Sequence, residues 1–264
     1  MKIAVCSLYI QPWYREVTKY GKRSMEKYCE KNGYDFIYET EDTEDGVYDG
    51  KRDYPWYKIQ LLLKVLKNKD YDFVVWNNAD SMIINYDKKL ESFIDKDLCH
   101  KDILVARDWN STLNTGTVFV RNCLYSCLLL RMIWENTPSN KNLHEQSSLS
   151  DIYTRNDFFA QDRIVVLPLH RQNDFLSYWY SYSPSNCFII HATRCSHDIP
   201  GFIFTMDMFC TLKMDEETDE QYKDRLDWLN SSRCLEDNEH YRNGGLRRNL
   251  TARYKLFISG KYKV

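Results

Sequence analysis

Polar side chains follow an apolar run in the first third of the chain. The stretch VVWNNAD places Asn77, Asn78 and Asp80 directly after YDFVVW, residues 71–76, which the apolar pattern predicts to be a buried strand. In open α/β sheets, ligands bind outside the carboxyl ends of the strands, so amide and carboxylate oxygens at this point predict a ligand site. The same residue types also close ordinary turns, and this stretch alone does not separate the two interpretations.

A histidine ends a second apolar run, CFIIHATRC, at His191. A lone histidine at a strand end can be a ligand or a structural residue. Cys187, His191, Cys195 and His197 also raise the question of zinc. Their spacing matches no standard zinc module, and the first two lie within an apolar strand pattern, so we do not expect a zinc site.

The elements that position these residues alternate in type. KIAVCSLY, residues 2–9, reads as a strand, the segment from Pro12 to Gly33 as a helix, and the continuation as β-α-β. Further strands are expected in DILVAR, TVFVRN, RIVVLP and CFIIHA, and further helices at Cys123–Glu135 and Glu145–Tyr153. Short apolar strands alternating with helices predict an α/β fold with a largely parallel sheet.

The composition changes near residue 207. We therefore predict a core over residues 1–206 and a helical appendage over 207–264 that packs on the core. Its basic end, RNGGLRRNLTARYKLFISGKYKV, can contact an anionic membrane or acceptor, although a solvated surface is the favoured interpretation.

Charge and cysteine content narrow the class of protein. A formal charge of -2 gives no basic field for a nucleic-acid partner. The sequence has no apolar stretch long enough to span a bilayer and no signal-peptide cleavage site, and its 9 cysteines include no CxxC pair. We expect a complete cytoplasmic protein with reduced thiols.

Several segments together resemble a known family. YPWYKIQLLLKVLKNKDYDFVVWNNADSMIIN, LNTGTVFVRN, HEQSSL and CFIIHATRC occur in the order and approximate spacing seen in the glycosyltransferases that include yeast α-mannosyl/galactosyltransferases and plant xyloglucan xylosyltransferases. The resemblance implies a GT-A fold, a UDP- or GDP-sugar donor, a glycan or other hydroxyl acceptor and retention of anomeric configuration. It also implies a Mn²⁺ or Mg²⁺ ion that neutralises the leaving diphosphate.

The resemblance assigns metal and phosphate roles. Asp80 takes the place of the last carboxylate of an Asp-x-Asp motif and is expected to bind the ion together with His191. Asn78 stands where the family has its first Asp, so this position can bind a hydroxyl but brings no negative charge to the metal. Arg194 is placed to reach the phosphates, for which its planar fork is suited.

The remaining donor-side residues are assigned in the same way. Gly116 lets the backbone approach the donor sugar, and Asn114 can bond sugar hydroxyls, although LNTG alone also suits a turn before a strand. Glu145 and Gln146 are the reaction-centre candidates, Gln146 as an orienting group, since a neutral amide is a poor nucleophile. Both also suit an ordinary first helical turn.

Several weaker candidates complete the set. Lys58, and with less support Lys51 or Arg52, can neutralise the diphosphate or be simply solvated. Ser7 and Tyr9, at the end of the first strand, can meet the base and ribose, but Tyr9 can equally be a core residue. Asp108 can bond a donor-sugar hydroxyl or open a loop.

Two other classes of function compete with transfer. The first is a non-catalytic nucleotide-sugar or glycan-binding protein on the same fold, which Asn78 in the metal motif suggests. The second is a nicotinamide-dependent oxidoreductase, which the α/β pattern allows. CSLYIQPWY lacks the glycine-rich phosphate turn that such enzymes place after their first strand, and this disfavours the second class.

Overall fold

Strands and helices alternate along the chain, as the apolar pattern predicts. The structure is a computed structural model, and it describes residues 1–10, 15–108, 112–168, 176–178, 187–191 and 218–229. The strands are β1 Ile3–Tyr9, β2 Asp35–Thr40, β3 Phe73–Asn77, β4 Ser81–Ile83, β5 Ile103–Arg107, β6 Leu113–Arg121, β7 Ile164–Leu167, β8 Leu176–Tyr178 and β9 Ile189–His191. The α-helices are α1 Arg15–Asn32, α2 Tyr57–Val65, α3 Glu91–Phe93, α4 Leu124–Glu135, α5 His144–Arg155, α6 Ala160–Arg163 and α7 Asp219–Leu229.

Within the described residues, the main sheet has six strands in the order β2-β1-β3-β6-β5-β7. Pairings β1 with β2, β1 with β3 and β5 with β7 are parallel, and only β6 runs against its neighbours β3 and β5. The carboxyl ends of β1, β3, β5 and β7 therefore lie at one edge, where the amino-terminal end of β6 joins them. This confirms the predicted α/β fold with a mostly parallel central sheet.

Both faces of the sheet are covered, which explains the continuous apolar strands. Along β1, Ala4 and Cys6 face a core layer formed with α2, α4 and α5, while Ile3 and Val5 face a layer that includes α1. Strand β3 is buried over its whole length. Side chains of a strand alternate between its two faces, so two apolar layers require two apolar faces.

Helix α1 contacts the backbone that follows β3. A Cβ on Gly21 would lie 2.6 Å from the carbonyl oxygens of both Ala79 and Ser81. No real side chain fits at that distance, so the glycine is what lets the helix approach this closely. Helix α1 thereby supports the segment that carries Asp80.

The structure differs from the sequence expectation around β9. The strand expected in CFIIHA lies outside the main sheet and pairs with β4 and β8 in a second, three-stranded sheet of order β4-β9-β8. Strand β4 and helix α3 were not predicted from the sequence. Strand β6 begins at Leu113, so LNTG belongs to a strand that lies between two others in the main sheet.

The predicted appendage falls mostly outside the described residues. Helix α7, Asp219–Leu229, matches the helix-favouring composition of that segment. The division at residue 207 and the packing of the appendage on the core stay predictions. None of the helices within the described ranges is long and apolar enough to cross a bilayer.

Candidate functional site

A tight turn follows β3 and presents Asp80. The backbone N–H of Asn78 donates to the carbonyl of Gly116 at 2.8 Å, which keeps the end of β3 attached to β6. The N–H of Ser81 then donates to the carbonyl of Asn78 at 3.0 Å and closes the turn before β4. The turn and the ligand-site interpretations are therefore compatible, because the turn itself places the carboxylate at the carboxyl edge of the sheet.

The second sheet brings His191 to this turn. Strand β4 pairs antiparallel with β9, with Ser81 opposite His191. The imidazole Nε2 lies 3.1 Å from Asp80 Oδ1, although the two residues are 111 positions apart. Burial alone would raise the pKa of Asp80, but the charge and hydrogen bond of His191 hold the pKa below its usual value. The carboxylate is therefore ionised at neutral pH.

The Asn78 amide connects this pair to the interior. Its oxygen accepts hydrogen bonds from Trp76 Nε1 at 2.7 Å and from Lys58 Nζ at 3.2 Å. Its nitrogen lies 3.4 Å from His191 Nε2. The amide oxygen thus accepts from a cation and an indole N–H, and these two hydrogen bonds orient the Asn78 side chain.

Lys58 and Glu145 form an ion pair below the surface. Lys58 Nζ lies 2.7 Å from Glu145 Oε1, and the two side chains are only 6% and 3% exposed. Thr115 contributes to the same cluster, since its carbonyl accepts from Lys58 at 3.1 Å and its hydroxyl donates to Glu145 at 2.9 Å. The other Glu145 oxygen, Oε2, is buried without a hydrogen-bond partner among the described residues.

The structure joins two more predicted residues, Gln146 and Asp108. Gln146 Nε2 donates to Asp108 Oδ2 at 3.1 Å and lies 3.3 Å from the hydroxyl of Thr112. Gln146 Oε1 lies 3.4 Å from the backbone nitrogen of Thr115. These contacts fix the orientation of the amide, because its donor and acceptor ends each have a partner.

Asn114 and Gly116 lie next to the histidine. The Asn114 side chain is 2% exposed, and its Oδ1 accepts from the Gly116 N–H at 2.7 Å. A Cβ on Gly116 would meet His191 Cε1 at 2.7 Å and Nδ1 at 2.8 Å. Gly116 therefore provides room for the imidazole, whereas the sequence suggested room for a ligand.

The resemblance implies metal-dependent binding of a nucleoside diphosphate, and we predict that Gly116→Ala weakens this binding by about ten-fold, since overpacking of about 1–3 kcal/mol would displace the His191 ring. Calorimetric titrations with and without Mn²⁺ measure this change. Binding of the parent nucleoside is the internal control and should stay unchanged. An unaltered diphosphate affinity in the folded variant would show that the position of His191 is unimportant.

The first-strand candidates are both buried. Ser7 is fully buried, and the Tyr9 hydroxyl packs against Met25 Sδ at 3.6 Å. The Tyr9 ring also meets Tyr38 edge to face at a centroid distance of 6.0 Å. Burial raises the pKa of Tyr9. The sequence left Tyr9 open as a contact of the base and ribose or as a core residue. The packing of its ring and hydroxyl is that of a core residue.

Some expected residues fall outside the described ranges. These are Arg194, Cys195 and His197, so the phosphate contact and the full zinc set stay untested. Cys187 is buried, and its thiol donates to the carbonyl of Ile189 at 3.6 Å.

The sequence did not indicate Trp76 or Thr115. Each lies beside a residue that was singled out, and the alternation of a strand places Trp76 on the same side as Asn78. That alternation was the signal from which the contact between the Trp76 indole and Asn78 could have been predicted. The sequence held no such signal for Thr115, because its partners Lys58 and Glu145 belong to two helices that are distant in sequence.

A family match covers more than half of the chain. Residues 25–187 match the family described as "Protein of unknown function, DUF273". The chain belongs to the DUF273 family. No curated protein matches the chain significantly.

Solved structures extend this result at the level of fold. A glycosyltransferase involved in the glycosylation of the major capsid of PBCV-1 matches with a TM-score of 0.63 and 18% identity, over 78% of this chain and 100% of that chain. The galactosyltransferase LgtC, solved with donor and acceptor sugar analogs, has a TM-score of 0.46 and 12% identity, over 85% of this chain and 100% of that one. A TM-score of 0.46 is too low to bear on the fold. The first likeness, with the sheet described above, confirms the predicted GT-A type fold. The narrower resemblance to the yeast and plant enzymes stays a prediction.

Proposed function

We propose that this DUF273 chain is a glycosyltransferase that moves a hexose or pentose from a UDP- or GDP-sugar to a glycan or other hydroxyl acceptor. The observation that carries the proposal is the meeting of Asp80 and His191 at the carboxyl edge of a GT-A type sheet, 3.1 Å apart. Asp108, which follows β5, contacts Gln146, and the Lys58–Glu145 pair contacts Thr115 near the beginning of β6. Fold alone does not define function, and this set of side chains supplies the site-level support.

The side chains at this edge suit a divalent ion that is shared with a diphosphate. Mg²⁺ in nucleotide sites is usually held by one or two carboxylates together with substrate phosphates. Asp80 and His191 would supply one carboxylate and one imidazole. Within the described residues, no group of three or more His, Cys, Asp and Glu side chains could hold a metal ion. A bound Mn²⁺ or Mg²⁺ would neutralise charge on the leaving diphosphate. Arg194 is proposed to contact the same phosphates.

The proposed transfer breaks the bond between the anomeric carbon and the diphosphate oxygen. The oxygen of the acceptor hydroxyl forms the new bond to the anomeric carbon, on the face from which the diphosphate leaves. The proton of that hydroxyl passes to the departing diphosphate. Because both events take place on one face, the anomeric configuration is retained. Gln146, oriented by Asp108, would position the donor sugar. Glu145 is held beside Gln146 by its buried ion pair with Lys58.

A non-catalytic nucleotide-sugar-binding protein is the second candidate. One observation favours it: the Asn78 amide oxygen is held by Trp76 and Lys58, so this position adds no charge beside Asp80. Donor turnover separates the candidates. An enzyme releases nucleoside diphosphate in the presence of acceptors, whereas a binding protein retains intact donor.

We predict that a UDP- or GDP-sugar stabilises the protein only when Mn²⁺ is present. At one hundred times its dissociation constant, a ligand adds about 2.7 kcal/mol, or roughly 5–10 °C in melting temperature for a protein of this size. A thermal-shift panel of nucleotide sugars, each with and without Mn²⁺, measures the effect. NAD and NADP are the matched dinucleotide controls and should give no shift. Stabilisation by a dinucleotide alone would contradict the proposal.

A further inference from the structure

A concavity opens beside the amino terminus of α2, and neither Asp80 nor His191 is among the residues that line it. Its volume is about 500 Å³. One wall comes from residues 48–56, and the other comes from residues 136–141, which connect α4 to α5. We call it the α2 pocket, and its volume is in the range of small-molecule sites.

The charged side chains of the α2 pocket are mainly cationic. Lys51, Arg52 and Lys141 line it, against one carboxylate, Asp53. Lys51 pairs with Asp49 at 2.8 Å. Among the described residues, neither the Arg52 guanidinium nor the Lys141 ammonium has a carboxylate partner. Two cations beside one cavity thus form no ion pair with a carboxylate of the described chain.

The Arg52 side chain is held in place by aromatic rings. Its guanidinium carbon lies 4.5 Å from the ring centroid of Trp56 and 4.6 Å from that of Trp134. Contacts of this kind orient a guanidinium while leaving its N–H groups to bind oxygen. Arg52 is therefore preorganised for an anionic ligand, which lowers the entropic cost of binding.

The pocket also has an aromatic surface. Tyr48 and Tyr54 stack with centroids 4.8 Å apart and an interplanar angle of 16°, and Tyr48 is 37% exposed. An exposed aromatic ring offers a flat apolar face with a polar hydroxyl at its edge. This combination suits a sugar ring, which has C–H groups on its faces and hydroxyls around its rim.

One contact links the pocket to the proposed reaction centre. Asp53 Oδ2 lies 3.4 Å from Nδ1 of His144, the first residue of α5. The next two residues of that helix are Glu145 and Gln146. A ligand in the α2 pocket would therefore lie beside the helix turn that carries the reaction-centre candidates.

We propose that the α2 pocket is the acceptor subsite and that it takes a sugar bearing an anionic group, either a phosphate ester or a carboxylate. This rests on the proposed transferase function. Arg52 and Lys141 bind the anion, and the Tyr48–Tyr54 pair supports the sugar ring. The subsite thereby selects acidic over neutral acceptors.

Titration of the protein with glucose, glucose 6-phosphate and glucuronate tests the proposal. We expect one or both acidic sugars to bind at least about ten-fold more tightly than glucose, since charge-assisted hydrogen bonds exceed neutral ones by this order. The two acidic sugars distinguish a phosphate from a carboxylate preference. Equal affinity for glucose and both acidic sugars would overturn the proposal.

Variants locate the binding. Lys141→Gln and Arg52→Gln should each reduce acidic-sugar affinity by several-fold to ten-fold without changing glucose binding. Lys67→Gln is the matched control, since Lys67 is an exposed lysine just beyond the carboxyl end of α2. Because Lys141 is exposed, its variant should fold even if Arg52→Gln does not. Unchanged acidic-sugar binding in Lys141→Gln and in any folded Arg52 variant would place the anion elsewhere.

The same titrations separate this proposal from the transferase function. Nucleotide-sugar binding is measured in parallel and should be unaffected by Lys141→Gln. Absence of nucleotide-sugar binding in the wild type would overturn the proposed function, and with it the acceptor role of the pocket. Nucleotide-sugar binding without acidic-sugar preference would overturn the acceptor subsite alone.

Discussion

Replacing Asp80 by Asn is expected to abolish Mn²⁺-dependent binding of the nucleoside diphosphate and to lower transfer by on the order of 10³-fold. The variant keeps the shape and the turn but removes the charge that faces His191. Metal stabilisation of a leaving diphosphate is worth several kcal/mol, and about 1.4 kcal/mol corresponds to each factor of ten in rate. Calorimetry with and without Mn²⁺ and an assay of diphosphate release measure the two effects.

Asp70→Asn is the matched control for this variant. Asp70 is an exposed carboxylate just before the opposite end of β3, so its loss changes the net charge equally without touching the site. Nucleoside binding should be the same in both variants. If folded Asp80→Asn protein kept Mn²⁺-dependent diphosphate binding, Asp80 would be only a turn residue and the metal assignment would be wrong.

The order of strands and helices was predictable because the two core layers impose an apolar pattern on the residues that form them. Strands such as β3 are apolar on both faces, and the helices between them have one apolar face each. Strand β4 left no such signal, because three residues are too few for a period to be read. Its pairing with β9 also determines where His191 lies, so the second sheet could not be derived from local pattern.

The site was predictable where residue type and strand end coincide, as for Asp80 and His191. It was not predictable where the decisive contact joins helices distant in sequence. Lys58 and Glu145 each look like ordinary polar residues near a helix start, and only the packing of α2 against β1 and β3 and of α5 against β6 brings them together. For Lys58 the sequence left open a contact with the diphosphate or a solvated side chain; in the structure the side chain is buried, and its ammonium contacts Glu145, Thr115 and Asn78.

This buried pair leads to the second large prediction, which concerns stability. Lys58→Met is expected to lower the free energy of unfolding by about 3–5 kcal/mol, because it leaves the Glu145 carboxylate buried without its cation. Urea denaturation of the variant and the wild type measures the loss. The matched control is Lys27→Met: Lys27 pairs with Glu30 at 2.8 Å, but the two side chains are 53% and 71% exposed. An exposed ion pair contributes little, so this change should cost much less than Lys58→Met.

The double variant Lys58→Met/Glu145→Leu should recover most of that stability, since an apolar pair of similar volume avoids the cost of desolvating two charges. Thr115 can then turn its hydroxyl to Gln146 Oε1, 3.5 Å away, and Asn78 keeps its hydrogen bond from Trp76. Transfer should not recover, because the variant still lacks the lysine that holds Asn78 beside His191 and the carboxylate next to Gln146. A double variant as unstable as Lys58→Met would show that the loss came from side-chain shape, since the uncompensated charge is then gone.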